Sequence, residues 1–341
     1  MTVSNKLRMA FVGCGGIADL HWQGIQTVAD PVRVTAAVDT DAERRTGMAL
    51  RTGAKPFATL DEALRKGNFD AVDVMLPHDL HEGAALACLE AGKHVLLEKP
   101  LAHTLDSAER IIAFAKGFPD QVFMIAEQSQ YWTDVIEARK LIDTGAIGRV
   151  LNARACFYDR VQIDPEAPPP WRYSLSRAGG GIVIDGGAHW IRPLRMMLGE
   201  VNEVIAVTGR HMERMEGESW SQSILRFESG VTAVFEAKNV AAPAGHTELF
   251  CVTGTEGELV ITGGRNAELQ LYNADSPRGT KVLDAAEGKR DSYGAEIKDF
   301  AAAVLDGTEP AASPQYSLGE MRTALAMYRS VKSRRWEKVW A

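Results

Sequence analysis

RMAFVGCGGIA, residues Arg8 to Ala18, is an apolar run that stops at a cluster of glycines and resumes as helix-forming sequence up to Val28. It reads as strand, turn and helix joined by G-x-G-x-x-A. Gly13 permits the tight turn, Gly15 lets a pyrophosphate approach the backbone, and Ala18 is small enough for a helix to pack closely on the strand. Gly16 and Ile17 complete the turn, and the first helical N–H groups face the phosphates. The next strand, Val32 to Val38, ends at Asp39, about 20 residues beyond the motif. An acid there takes a ribose 2′-OH and repels a 2′-phosphate. NAD is therefore the expected cofactor, favoured over NADP, with Arg44 and Arg45 as the opposing signal. Capping of the following helix is a second role open to Asp39.

The βα rhythm continues outward from this stretch. Thr59-Leu60-Asp61-Glu62 has the form of a capping box. Ala71 to Leu76 is a short apolar strand ending at Pro77-His78, and Leu80 to Ala91 is a helix closed by Gly92. His94 to Glu98 is the next strand, Asp106 to Lys116 a helix and Val122 to Glu127 a strand. Strands alternating with helices imply a doubly wound parallel sheet. Leu76, Pro77, His78, Glu98 and Lys99 then lie at strand carboxyl ends, where such sheets bind ligands. Lys99 stands out, because a lysine at the end of an apolar strand is held out of helix by the proline that follows it.

The second half changes character. After a helix from Thr133 to Thr144, strands are expected at Val150–Tyr158, Val201–Thr208, Gln222–Glu228, Val231–Ala237, Leu249–Thr253, Glu258–Thr262 and Leu269–Asn273, with a hairpin turn at Ser229-Gly230. The expected fold class is α/β. A Rossmann domain over residues 1–127 precedes an α+β domain over 128–341, built on a large, mostly antiparallel open sheet. The final helices, Ile297–Leu305 and Gly319–Ser333, are candidates to pack back on the first domain. Asp164 to Pro170 reads as a surface loop.

Composition excludes several classes. The chain has 341 residues, a formal net charge of −7 and 45% hydrophobic residues. It carries no long basic tract, so a nucleic-acid partner is not expected. No apolar run reaches the ~18 residues that span a bilayer, and MTVSNKLRMAFVGCGG leaves no room for a signal peptide. Cys14, Cys88, Cys156 and Cys251 show no metal-ligand or disulfide spacing. The expectation is a cytoplasmic protein without a metal or membrane partner.

GCGGIA, the run LPHDLH…LEAGKHVLLEKPLA and GGGIVIDGGAHW resemble the Gfo/Idh/MocA family of NAD(P)-dependent sugar and cyclitol oxidoreductases. The likeness extends over nearly the whole chain, to the ending EIKDFAAAVLDG…MRTALAMYRSVKS. Its most specific part joins His81, Gly92, Lys93, His94, Glu98, Lys99 and Pro100. The resemblance implies a catalytic triad of Lys99, Asp185 and His189, a place for His81 and Gln128 beside the cofactor, and dimers or tetramers formed through the open sheet.

Ile182 to Leu198 reads as one helix despite Gly186 and Gly187, which puts Asp185 and His189 on a common face. Oxidising a secondary alcohol moves a hydride to the nicotinamide and a proton to a base, a task suited to histidine. Where many relatives carry an acid three residues after the histidine, this chain has Arg192, with Arg195 on the next turn and Arg172 elsewhere. These arginines either clamp an anionic group on the substrate or close internal salt bridges, the slightly favoured alternative. Tyr158 and Trp171 are candidates for stacking on a sugar and equally for ordinary packing. The function expected is hydride transfer between NAD and a sugar, cyclitol or sugar derivative. Two alternatives stay open: an NAD-retaining enzyme that uses transient oxidation for elimination or glycoside cleavage, and a non-catalytic NAD-binding regulator. Intact Lys99, Asp185 and His189 argue against the regulator.

Overall fold

The computed structural model describes residues 6–28, 32–161, 166–241, 248–263, 267–284 and 288–341. The chain divides into two compact units, one of residues 1–128 and 290–318, the other of residues 129–289 and 319–341.

The first unit alternates strand and helix in the order β1 (Leu7–Val12), α1 (Gly16–Val28), β2 (Val32–Val38), α2 (Ala42–Thr52), β3 (Lys55–Phe57), α3 (Leu60–Lys66), β4 (Ala71–Val74), α4 (His81–Glu90), β5 (His94–Glu98), α5 (Leu105–Ala115) and β6 (Phe123–Ala126). All six strands are parallel, in the order β3-β2-β1-β4-β5-β6. This is the doubly wound arrangement, whose strand order reverses between β1 and β4. Val95, Leu96 and Leu97 are completely buried, as expected of parallel strands covered on both faces. Side chains cap the starts of two helices, the first of them at the predicted Thr59. Thr59 accepts from the Glu62 N–H at α3 and Thr104 from the Ser107 N–H at α5. Gly92 takes the left-handed conformation past α4. The edge strand β3 is too short for its pattern to register.

The second unit begins with α6 (Thr133–Asp143), β7 (Val150–Arg160), α7 (Leu175–Ala178) and α8 (Ala188–Leu198). The strands β8 (Val201–Gly209), β9 (Trp220–Phe227), β10 (Thr232–Val240), β11 (Glu248–Gly254), β12 (Gly257–Thr262), β13 (Glu268–Asn273) and β14 (Thr280–Asp284) follow. Helices α9 (Gly288–Asp306) and α10 (Pro314–Ser333) and the short β15 (Glu337–Lys338) end the chain. The nine-stranded sheet runs β14-β13-β12-β11-β7-β10-β9-β8-β15, antiparallel except for β7 beside β10. Gly230, with φ of 85°, makes the predicted hairpin between β9 and β10. Of the expected loop Asp164–Pro170, Asp164 and Pro165 lie outside the described residues. All four cysteines are buried, and none forms a disulfide. Among the described residues, no helix is long and apolar enough to cross a membrane.

One predicted helix is corrected. The segment expected to be helical from Ile182 begins as helix only at Ala188, and residues 182–187 form turns. The Gly187 N–H bonds back five residues to the Ile182 carbonyl, and the His189 N–H bonds back only three to Gly186. A Cβ on Gly186 would lie 2.4 Å from the Phe157 ring, and one on Gly187 2.5 Å from the Val183 carbonyl oxygen. The two glycines thus mark a compact turn pressed against β7.

Candidate active site

In the first unit the predicted cofactor residues gather at or just beyond the carboxyl ends of parallel strands. Gly13 follows β1 with φ of 94°, and a Cβ there would lie 2.3 Å from the Met75 carbonyl oxygen beyond β4, so only glycine fits. Gly15 and Gly16 are different. A Cβ on either would meet nothing within 4 Å. The fold does not demand these glycines, and the open space before the first turn of α1 fits a close-approaching phosphate. Ala18, fully buried, lets α1 lie close to the sheet. Burial, with Asp39 nearby, pushes the Cys14 thiol up to about 12, so it carries no nucleophilic role.

Asp39 does not cap α2; Asp41 does, accepting from the Glu43 and Arg44 N–H groups. One Asp39 oxygen instead accepts from the Cys14 N–H at 2.8 Å and the other from the Asp41 N–H at 2.9 Å. The carboxylate therefore ties the end of β2 to the glycine turn. Arg45 is engaged on the Asp39 and Thr40 carbonyls, and Arg44 stands 4.0 Å from Asp41.

Leu76, Pro77 and His78 follow β4, Glu98 ends β5 and Lys99 follows it. Fully buried His81 joins these two loops, with Nδ1 3.0 Å from the Pro100 carbonyl and Nε2 2.9 Å from that of Leu76. Burial holds its pKa below the ordinary histidine value. His81 shapes the loops from beneath; its edge contact with the buried His78 ring lies 5.5 Å away between centroids. Gln128, beyond β6, is nearly buried, and its side-chain carbonyl accepts from Ser292 at 2.7 Å.

Glu98 belongs to a buried cluster that sequence analysis missed. His21, fully buried on α1, lies 2.7 Å from Asp73 through Nδ1 and 3.1 Å from Glu98 through Nε2, with Glu296 at 3.8 Å. Asp73 and Glu296 are also completely buried. Burial works to lower the His21 pKa, but Asp73 and Glu98 outweigh it and hold it well above the usual value. Burial holds Glu296 well above the carboxylate range, against the pull of His21. The approach of α9 to α1 explains the assembly: a Cβ on Gly24 would lie 2.7 Å from the Gly294 nitrogen, so the two backbones touch.

In the second unit Asp185 lies in the turn before α8 and His189 in its first turn. They are half-buried but do not share a helix face, because the glycine turn intervenes. The turn is held by Glu218, whose carboxylate accepts from the Gly181 and Val183 N–H groups, each at 3.0 Å, and from the Tyr328 hydroxyl at 2.8 Å. Asp185 pairs with Arg172 at 3.2 Å, and the half-exposed guanidinium stacks on Trp171 at 4.4 Å. Trp171 therefore packs against Arg172.

Two expected substrate residues are corrected. Arg192 is completely buried, donating to Glu320 at 2.5 and 3.2 Å and to Gln130 at 2.8 Å, so it offers nothing to a ligand. Arg195 pairs with the same Glu320 and with Glu200. The internal ion pair won because a buried guanidinium without a counter-charge would cost several kcal/mol. Tyr158 faces away from Asp185. Phe157 packs on Gly186 and on Trp190, with centroids 4.5 Å apart in the latter pair, and successive strand residues point to opposite faces. The neighbour on Asp185's side is Asp159, whose pKa is raised by burial and by the Asp185 charge. Counting in twos from Phe157 would have found it.

Residues 7–125 match the family described as an oxidoreductase family with an NAD-binding Rossmann fold, and residues 135–260 match the GFO/IDH/MocA C-terminal domain. Among curated proteins, 1,5-anhydro-D-fructose reductase of Ensifer adhaerens is 30% identical, covering 87% of this chain and 88% of that protein. Myo-inositol 2-dehydrogenase of Thermotoga maritima is 27% identical, covering 96% and 97%. Among solved structures, levoglucosan dehydrogenase in complex with NADH superposes with a TM-score of 0.88 at 24% identity, covering 98% of this chain and 99% of that one, a likeness of fold.

The buried cluster makes stability depend on pH. Glu296 holds in the folded state a proton that the unfolded chain gives up near pH ~4.3. Stability is therefore lost as pH rises from that value towards the folded pKa. Glu296→Gln should remove this part of the loss. In thermal melts at a series of pH values, the midpoint of the variant relative to wild type should climb with pH, by about 2–4 °C for each kcal/mol released. A difference that stays flat would refute the raised pKa.

Proposed function

The chain belongs to the Gfo/Idh/MocA family of NAD-binding oxidoreductases, and from that premise we propose that it transfers a hydride between nicotinamide and a secondary alcohol or ketone of an uncharged sugar, cyclitol or sugar derivative. The observation that carries this is the convergence, after the carboxyl ends of β1, β2, β4, β5 and β6, of an open glycine turn, an acid, two loops locked by His81, a lysine and a glutamine.

In this reading Gly13, Gly15, Gly16, Ile17 and Ala18 seat the pyrophosphate. Asp39 accepts from the adenosine ribose, and Leu76, Pro77, His78, Glu98 and Gln128 line the rest of the dinucleotide. When bound, NAD supplies the hydride acceptor. The protein's own task is the proton. We assign it to Lys99, which holds positive charge near the reacting oxygen, and to His189, which takes or returns the proton. Asp185, anchored by Arg172, binds a substrate hydroxyl. The arginines support an uncharged substrate: Arg192 and Arg195 are paired with Glu320, and Arg172 with Asp185.

A homo-oligomer formed through the open sheet face is part of this reading. Val234 pairs with Ile224 and Ile224 with Ile205, and Val207 continues the strip. Val207, Ile224 and Val234 are 58%, 41% and 48% exposed.

Three outcomes are expected. Lys99→Met should keep NADH affinity within a few-fold and lower the turnover of any sugar that the wild type oxidises by about 10²-fold or more; unchanged turnover, followed by NADH absorbance across a sugar panel, would sink the assignment. Asp39→Asn keeps an acceptor for the Cys14 N–H but removes the charge, and should raise the NADP-to-NAD preference roughly tenfold; wild-type protein that binds NADP more tightly than NAD would overturn the role of Asp39. Light scattering should report an oligomer that Ile224→Lys with Val234→Lys dissociates, and a monomeric wild type would remove the sheet-face interface.

A further inference from the structure

His21 is a buried histidine for which hydride transfer has no direct use. Both of its ring nitrogens face carboxylates, Asp73 at 2.7 Å and Glu98 at 3.1 Å. A neutral imidazole has one N–H and one lone pair, so one of these contacts would set a lone pair against carboxylate oxygens. An imidazolium donates to both. Completely buried carboxylates such as Asp73 also demand a compensating cation. The groups around the ring come from four directions: Asp73 from β4, Glu98 from β5, Tyr293 and Glu296 from α9, and His21 itself from α1. Glu127, buried just beyond β6, adds its charge to Glu296 and Tyr293. Asp73 Oδ1 and both Glu296 oxygens have no hydrogen-bond partner among the described residues, and every other ionisable group facing His21 is an acid or a phenol. His21 is the cluster's cation.

The position of this cation matters because Glu98 is the cluster member at the edge of the site. Its side chain is 10% exposed and its Oε1 is the atom bonded to His21. Glu98 ends β5, on the opposite side of β1 from β2 and Asp39. A dinucleotide with its pyrophosphate on the Gly13–Ala18 turn and one ribose at Asp39 lays its other half toward the ends of β4 and β5.

We propose that His21 is a positioning residue of the cofactor site: as an imidazolium bridging Asp73 and Glu98, it fixes the Glu98 carboxylate for the nicotinamide half of the dinucleotide. This rests on the reading of Glu98 as a cofactor contact. Since α1 also presents its N-terminus to the pyrophosphate, one helix sets both the phosphate end of the site and, through His21, the acid beside Lys99.

The test uses the full chain and two ligands, NADH and ADP. ADP carries only the adenosine and pyrophosphate. His21→Gln should weaken NADH about tenfold or more, the loss of a charge-assisted hydrogen bond, and leave ADP affinity within a factor of about two. A merely structural role would weaken both together. In the wild type, ring-nitrogen chemical shifts of His21 should report both nitrogens protonated at pH 8, a measurement that needs no variant to fold. A neutral ring at that pH, NADH and ADP weakening in step, or NADH affinity unchanged in folded His21→Gln overturns the proposal alone. A wild type that binds neither ligand overturns the cofactor reading and this proposal with it.

Discussion

Everything in the first unit hangs on the absence of one carbon atom. The end of β1 and the carbonyl of Met75 beyond β4 approach so closely that a Cβ on Gly13 would sit 2.3 Å from that oxygen. Only a residue without a side chain, in a left-handed conformation, turns the chain there. That turn starts α1 at Gly16, which aims its unpaired N–H groups over the sheet. It also brings the Cys14 N–H to Asp39 and so ties the second strand to the first. The strand order reverses at the same place, so the steric constraint and the ligand crevice coincide. Lys99 inherits its position from this frame two strands away, through β4 and β5 in parallel register.

The parts of the fold that the sequence reveals are those decided locally. The glycine turn, the strand His94–Glu98 and the cap at Thr59 each depend on residues within a few positions. What stayed hidden depends on distant partners. The helix expected from Ile182 gives way to a turn at Gly186 and Gly187, where Phe157, some thirty residues earlier, leaves no room for a Cβ at 186. Arg192 looks available until Glu320, on another helix, is found beside it. Which of Tyr158 and Asp159 lies on the side of Asp185 is clear only once the packed face of β7 is known. His21 carries no sequence signal, since one histidine in a helix is unremarkable until three strands and helices deliver carboxylates to it.

The two units manage buried charge in different ways. In the second, Arg192 and Arg195 share Glu320, with Gln130 and Glu200 completing the donors and acceptors. Glu218 is met by two backbone N–H groups and a tyrosine hydroxyl. These sets are closed, and they stabilise one conformation of the chain around Asp185. The cluster in the first unit is open. It has an excess of acids over cations, buried oxygens without partners, and one member at the edge of the site. Unsatisfied buried groups cost stability, and such costs concentrate where a site needs a fixed charge.

The same accounting bears on the substrate. A site that selects an anion needs a guanidinium or ammonium group whose charge is not already compensated. In the second unit the arginines near α8 fail that condition: two are buried against Glu320, and Arg172 faces Asp185. Asp159 adds further negative charge, and its raised pKa registers the proximity of Asp185. The half-buried groups around the turn are therefore hydrogen-bonding pairs of balanced or slightly negative charge. They suit hydroxyl groups, which can donate to a carboxylate and accept from a histidine or guanidinium at once. A carboxylate on the substrate would have to displace Asp185 from Arg172 before gaining anything, leaving a half-buried acid unpaired.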